Sequence, residues 1–592
     1  MVRRLLATGL FALALAAPAA AQPRVLWPGV TFDTGVQFTP NGPVAINILT
    51  GPRPGGTTTL APSLSNNTLV GRETLTAIER RTAPQATTAG INGDFFAFAD
   101  GLPSGVLMQE GQVMSPPSAY RASAGVTSDG TLDVRRVSLS GTWQGLGGKR
   151  TLNLFNKPLD KKGGIALYTQ VWGPTTPPTP GAVSAVLFPF PAATPNTDLQ
   201  APVVELRTGG AAIPIPPGGA VLVAVGAAAA ALTAEAPVDQ LVTVQLTLKP
   251  DWPDIVSAIG GGPQIVRDGA PVFRAGEIFT TSQLGPRAPR SAVGQLADGK
   301  MVLVTVDGRQ PGYSIGMTNF ELAQALVRLG AVTGMALDSG GSATMAFDGT
   351  LLNRPSEPER PISTALLFQY TGVFVQPAVA VVSPDGDGVA DKQSLRYKIV
   401  RPSTVEVKLL RPDGTVGYQA SVTRQPGRYA VPFPPVAPVT PVVPSPNSRG
   451  VAAKSAGPAQ GRWTLTITAT DDIGQPSEMT QAFLVNSTIG FLATSPSKLF
   501  LPPRGRDVRI RWKQTKTARV TVTVETRAGE VLRTLAKRSY TAGARGVTWN
   551  GLDRKKKAVK GGTYVVRVVA RNAIGTLDLA RNVRVQRIVG PR

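Results

Sequence analysis

Three polar, glycine-rich turns in the first 370 residues hold the side chains best suited to chemistry. The first is Asn92-Gly93-Asp94-Phe95-Phe96, followed by Pro103-Ser104-Gly105. The second is Gly260-Gly261-Gly262-Pro263, with Arg290-Ser291-Ala292 and Asp307-Gly308-Arg309 after it. The third is Asp338-Ser339-Gly340-Gly341-Ser342, followed by Asn353 and Arg360. Successive glycines let a turn aim several backbone N–H groups at one anion. Arginine adds a planar, permanently charged fork that matches phosphate oxygens. Composition narrows the chemistry further, because the chain has no Cys and no His. Disulfides, thiolate metal sites, a cysteine nucleophile and every Ser-His-Asp arrangement are thereby excluded. Any reaction must run on carboxylates, Arg, Lys, Tyr, Ser/Thr and backbone amides.

Each of these residues also has a plain structural use. Asp307-Gly308 is a common turn pair, and Asp94 can serve as an Asx-turn residue placing Phe95 and Phe96. Asn92 and Asn353 can satisfy loop backbone. Asp338, beside consecutive glycines, is the one least explained by structure alone.

The elements that must position these turns are mainly strands. Val44–Leu49 and Met301–Val306 are β-rich runs, the second ending at Asp307-Gly308. Glu73–Arg81 predicts a short helix. Thr318-Asn319-Phe320-Glu321 matches a capping box ahead of Leu322, Leu326 and Leu329, with Gly330 as the stop. That assignment makes Glu321 structural. Ala331–Leu337 then resumes a strand and delivers Asp338 to its turn. Strands mixed with helices predict an α+β class for residues 22–370.

These blocks, in this order and spacing, resemble the phosphodiester glycosidase family, that of the uncovering enzyme. The matching pieces are Ile91–Phe96 with Pro103–Gly105, the Tyr168 region, Ile259–Gln264 and Arg290–Ala292. Val306–Arg309, Gly316–Ala323 and Leu337–Met345 complete them. One departure is Ser339, where the family usually has Gly. The resemblance implies hydrolysis of a sugar-1-phosphodiester, releasing the sugar and leaving a phosphomonoester, with no cofactor required. Arg290, Arg309 and Arg360 would clamp the departing phosphate, with Asn92, Gly340, Gly341, Ser342 and Asn353 lining the substrate. Asp338 would be the first carboxylate, and Asp307 or Asp94 the second. A phosphosugar-binding protein without turnover is the alternative.

After Tyr370 the texture changes to short β-branched strands between Gly, Pro and Asp turns, which predicts two all-β immunoglobulin-like sandwiches, 371–490 and 491–592. A Pro-rich insertion at 432–461 interrupts the first. Gly546-Val547-Thr548-Trp549-Asn550-Gly551 and Gly561-Gly562-Thr563-Tyr564 in the second resemble the immunoglobulin-like domain of flagellar hook-capping proteins, which implies a spacer or attachment module. Asp385, Asp387 and Asp391 alternate with glycine like the start of a calcium loop, so Ca2+ is a candidate ligand.

The net charge of +24 is uneven: residues 496–592 carry 24 of the 61 basic and 5 of the 37 acidic residues. No aromatic-interleaved nucleic-acid module accompanies them, so an anionic cell-envelope polymer is the expected partner. Alternating Arg504, Arg506, Arg509 and Arg511 suggest a charged sheet edge or face that resists edge pairing. Arg3-Arg4, an apolar run from Leu5 to Ala17 and Ala19-Ala20-Ala21 predict a signal peptide over 1–21. The expected location is secreted, periplasmic or envelope-associated, with no membrane-spanning segment after cleavage.

Overall fold

Residues 23–159, 163–272, 276–435, 458–501 and 507–587 are described in a computed structural model. The predicted signal peptide, most of the Pro-rich insertion, and Arg504 with Arg506 lie outside them. The chain divides into two units: residues up to 83 with 88–369, and residues 370–592 with 84–87.

The α+β expectation does not hold. Strand accounts for 53% of the described residues and helix for 7%, and the first unit is a β-rich domain. The helical signals are real but brief. Leu75–Thr82 is N-capped by Thr74, and Asn319–Arg328 carries the Thr318–Glu321 capping box. Glu321 also takes a bidentate ion pair from Arg287, which fixes its structural role. Each helix spans two or three turns and covers a sheet face rather than forming a layer. The alanine-rich stretch near 220–235 divides into the buried strand Ala220–Val225 and the helix Ala227–Glu235. Among the described residues, no helix is long and apolar enough to cross a membrane.

Two sheets of the first unit carry most of the site. In an eight-stranded sheet, Gly42–Gly51, Met301–Val306, Arg290–Leu296 and Ala331–Ala336 are consecutive neighbours. Val44, Ala292, Val302, Val304 and Val306 bury one face of it against Leu322 and Leu326 of the capped helix. Thr87–Asn92 is the fully buried middle strand of a five-stranded sheet, between Met345–Phe347 and Thr364–Tyr370. The register sets Arg290 opposite Val306 and Ala292 opposite Ala336. Residues 290, 307 and 338 therefore emerge at the same end of the sheet.

The second unit repeats one arrangement. A three-stranded sheet (Phe374–Val375, Gln393–Ile399, Gly427–Phe433) accompanies a five-stranded sheet around Phe433, Trp463 and Phe483. The pattern recurs with Ile489–Ser495, Val508–Gln514 and Gly543–Trp549 and a second five-stranded sheet, around Trp512, Trp549 and Tyr564. Clean inward–outward alternation, as in Val508–Gln514, is what a one-sided sheet face requires. In place of disulfides, each sandwich is held by apolar burial and edge-to-face aromatic pairs.

Candidate active site

Backbone bonds draw the three turns together. Asp338 N–H donates to Gly93 O (3.0 Å), Gly340 N–H to Pro289 O (2.9 Å), and Gly262 N–H to Ala336 O (2.9 Å). Buried Asn92 stitches the same junction from its side chain. Its Nδ2 donates to Asp338 O (2.8 Å), and its Oδ1 accepts from Ser291 Oγ (2.6 Å) and Thr344 N–H (3.2 Å). With every polar atom engaged, Asn92 is a positioning residue.

Two carboxylates define the centre. Asp338 is half-buried; its Oδ1 accepts the Ser339 N–H (2.8 Å), and the Ser342 hydroxyl bonds the same carboxylate. Burial pushes it up to about 6, against the pull of Ser342, the Ser339 N–H, Arg360 and Arg121. Asp94 is 2% exposed and accepts Phe95 N–H on Oδ1 (2.7 Å) and Gly105 N–H on Oδ2 (2.6 Å). Burial pushes it up to about 7, and the Asp338 charge adds to the rise. A Cβ at residue 260 would stand 2.4 Å from Asp94 Oδ2, and one at 105 would stand 2.9 Å away. Glycine at both positions is what lets this carboxyl sit between two backbones.

Asp307 lies elsewhere in the network. Its two oxygens accept from Asn353 Nδ2 (2.8 Å), Tyr313 OH (2.9 Å), Arg354 N–H (3.2 Å) and Asn47 Nδ2 (3.3 Å). Asn353 is used up in turn by Asp307, Ala343 O and the Met345 N–H. Both are positioning residues joining distant strands. Asp307→Ala strands several buried donors and is expected to cost about 3 kcal/mol or more of stability, read by urea unfolding. The surviving folded fraction should keep kcat within about threefold, since only positioning is disturbed. A variant of normal stability with no turnover would instead put Asp307 at the reacting centre.

The three predicted arginines separate by what they touch. Arg290 is buried and donates to the carbonyls of Met317 (3.0 Å), Gln283 (2.9 Å) and Pro286 (2.8 Å). Burial and the neighbouring Arg309 cation hold it down at about 10. Arg360 ion-pairs with Glu357 (2.5 Å) and reaches Ser342 Oγ (3.4 Å), and so braces the Asp338 turn. Arg309 has φ +58°, and its guanidinium nitrogen lies 3.2 Å from where a Cβ of residue 340 would stand. Gly340 itself has φ +68° and leaves that space open. The exposed Arg309 side chain makes no ion pair or hydrogen bond among the described residues. Ser339 adopts extended backbone, φ −129°, so serine fits the turn without strain; its Oγ lies 3.5 Å from Arg290 Nη1.

Two cations at the centre escape the sequence reading. Arg121 stacks over Phe95 (5.0 Å) and Phe279 (4.7 Å), and its charge acts on both Asp94 and Asp338. Like Arg309, it has no ion pair at contact distance among the described residues. The Lys157 ammonium feels Asp94, and burial holds it below the usual lysine range. Neither residue sits in a glycine-rich turn, so no local pattern marks it. Beside Phe279 opens a cleft of about 660 Å³ lined by Ile265, Val272, Glu277, Leu284 and Phe320.

In the second unit, ligand oxygens of Asp385, Asp387 and Asp391 lie within 4.8 Å of one another. They also order their own loop: Asp391 accepts N–H groups of Asp385, Gly386 and Gly388. Asp387 Oδ2 accepts the Phe491 N–H (2.6 Å), tying this loop to the first strand of the second sandwich.

The strand-end carboxylates thus stand beside Arg121 and Arg309, two cations without an ion pair among the described residues, an arrangement that can accept an anion. Residues 197–369 match the phosphodiester glycosidase family, and residues 505–573 match the FlgD Ig-like domain. The similarity to the phosphodiester glycosidase family thus lies in the first unit and covers less than a third of the chain. The matched region holds Arg290, Asp307, Arg309, Asp338 and Arg360, while Asn92, Asp94 and Arg121 lie N-terminal to it.

The chain is 40% identical over 68 residues to the N-acetylglucosamine-1-phosphodiester alpha-N-acetylglucosaminidase of Bos taurus, covering 12% of each chain. It is 34% identical over 159 residues to the SPbeta prophage-derived uncharacterized protein YomE of Bacillus subtilis (strain 168), covering 26% of this chain and 24% of that one. It therefore spans a quarter or less of the length of these relatives. A crystal structure of a hypothetical protein from Synechocystis aligns at 27% identity and a TM-score of 0.48, over 58% of this chain and 62% of that one.

Proposed function

We propose that the first domain hydrolyses sugar-1-phosphodiesters at the C1–O bond. The observation that carries this reading is the Asp94–Asp338 pair, two carboxyls raised to different degrees beside Arg121 and Arg309. Near neutral pH Asp338 is mostly ionised, while Asp94 still holds a proton part of the time. The ionised Asp338 either takes a proton from the attacking water or itself attacks C1. In both routes the C1–O bond breaks with its electron pair going to the phosphate oxygen, and water finally supplies the hydroxyl at C1. The departing phosphomonoester keeps the bridging oxygen and is held by Arg309 and Arg121. Protonated Asp94 keeps negative charge away from that phosphate and can give its proton to the leaving oxygen. The cleft beside Phe279 has room for the aglycone.

Arg309→Gln removes a charge-assisted contact to substrate and product. It is expected to lower kcat/KM about 10- to 100-fold, mainly through KM, in steady-state sugar-release assays. An unchanged KM would take Arg309 out of the phosphate site. Turnover separates the enzyme from a pure phosphosugar binder: binding without sugar release across a panel of sugar-1-phosphodiesters would overturn the hydrolase reading.

Export is part of the same proposal. It is supported by Arg3-Arg4, the apolar run and the alanine-rich cleavage site, and is checked by N-terminal sequencing of the mature protein.

A further inference from the structure

One sheet of the last module carries a row of cations along its middle strand. Arg509, Arg511 and Lys513 alternate with buried residues along Val508–Gln514, so all three project outward and successive side chains stand about 7 Å apart. This strand is the middle of its three-stranded sheet, so protection of a free edge does not explain the row. The residues opposite the row are small: Ser495 and Thr548 beside Arg509, and Ala493 and Gly546 beside Arg511. Gly490 and Ala544 flank Lys513. The cations therefore stand clear of the residues beside them on both neighbouring strands.

None of the three strands contains an acidic residue, and none of the three cations makes an ion pair among the described residues. Acidic groups bracket the row at its ends, Asp507 just before the strand and Asp385 and Asp387 packed on Gly490 and Phe491. On the other sheet of the module Arg567 is neutralised by Glu525 (2.9 Å) and Asp578 (2.6 Å), whereas Arg519 and Arg571 stand opposite each other across paired strands. At the Lys513 end, half-exposed Phe491 lies 5.5 Å from the ammonium and offers an aromatic surface for a sugar or polyol.

We propose that this face, centred on Arg509, Arg511 and Lys513, binds a single extended polymer of polyol or sugar units joined by phosphodiesters. Arginine forks suit tetrahedral oxyanions, and one straight row of cations fits one chain lying along the strand rather than the two backbones of a duplex. The choice of phosphate over sulfate rests on the phosphodiester reading of the first domain. Anchoring on such a polymer would raise the local concentration of substrate around that domain.

The test uses the full chain and fluorescein-labelled poly(glycerol phosphate), read by anisotropy across a salt series. The row variant R509Q/R511Q/K513Q is expected to bind about tenfold or more weakly and to flatten the log–log salt dependence by about two. The control R519Q/K555Q/K557Q removes equal charge off the row and is expected to change affinity less than about threefold. Matching melting temperatures show that both variants fold. Equal weakening in the two variants, no binding by the wild type, or preferential binding of heparin or duplex DNA would overturn the proposal. Turnover of a small soluble sugar-1-phosphodiester is measured in parallel. Polymer binding with row dependence but no turnover would sustain this surface while removing the hydrolase reading.

Discussion

Replacing Asp338 by Asn is expected to cut sugar release about 10³-fold while raising the melting temperature at pH 8. The two effects have one origin. Burial raises the Asp338 carboxyl to about 6, so its ionised form is disfavoured in the folded chain relative to the unfolded one. A raised folded value means the stabilisation is complete below the unfolded value near 4 and is lost as pH rises through about 6. Asn removes that charge at little steric cost. Its Oδ1 can keep the Ser339 N–H, and its Nδ2 can donate to Ser342 Oγ. What it cannot do is accept a proton from water or attack C1. A variant that lost stability and kept turnover would make Asp338 a turn residue.

Asp94→Asn behaves differently, because both Asp94 oxygens accept backbone N–H groups. An amide must point its NH2 at one of those donors, at a cost of about 1–3 kcal/mol. The kinetic signature lies in the pH profile. Wild-type kcat/KM should rise as Asp338 ionises near pH 6 and fall as Asp94 loses its proton near pH 7, these being apparent values of the pair. In Asp94→Asn the alkaline limb should vanish and the remaining rate should be about 10²-fold lower. An alkaline limb unchanged by the substitution would assign it to another group, with Lys157 the first to test.

What could be read from the chain depends on how local its cause is. The Thr318–Glu321 cap is specified within four residues and is found as expected, its glutamate structural. The turns at Asn92, Arg290 and Asp338 do meet, because glycine-rich segments at strand ends converge once the strands pair. The roles of Arg290 and Asp307 were not legible. Their partners, Met317, Gln283 and Pro286 in one case and Asn47, Tyr313 and Asn353 in the other, are brought close only by tertiary folding. Arg121 was invisible because an arginine before an apolar strand carries no local mark. The α+β expectation failed for a related reason. Compact helix signals are conspicuous, whereas the strand Asp198–Thr208, with Pro202 and several polar residues, becomes a strand through pairing with Val183–Leu187 and Leu241–Lys249.

Which bond breaks is the direct test. A methyl phosphodiester of a sugar 1-phosphate would be hydrolysed by the full chain in H2¹⁸O and the products examined by mass spectrometry. Glycosidic cleavage places ¹⁸O on C1 of the released sugar and leaves methyl phosphate unlabelled, and the Asp338→Asn variant should give neither product above background. Label in the phosphate, or tight binding of the diester without release of sugar, would contradict a glycosidase centred on Asp338.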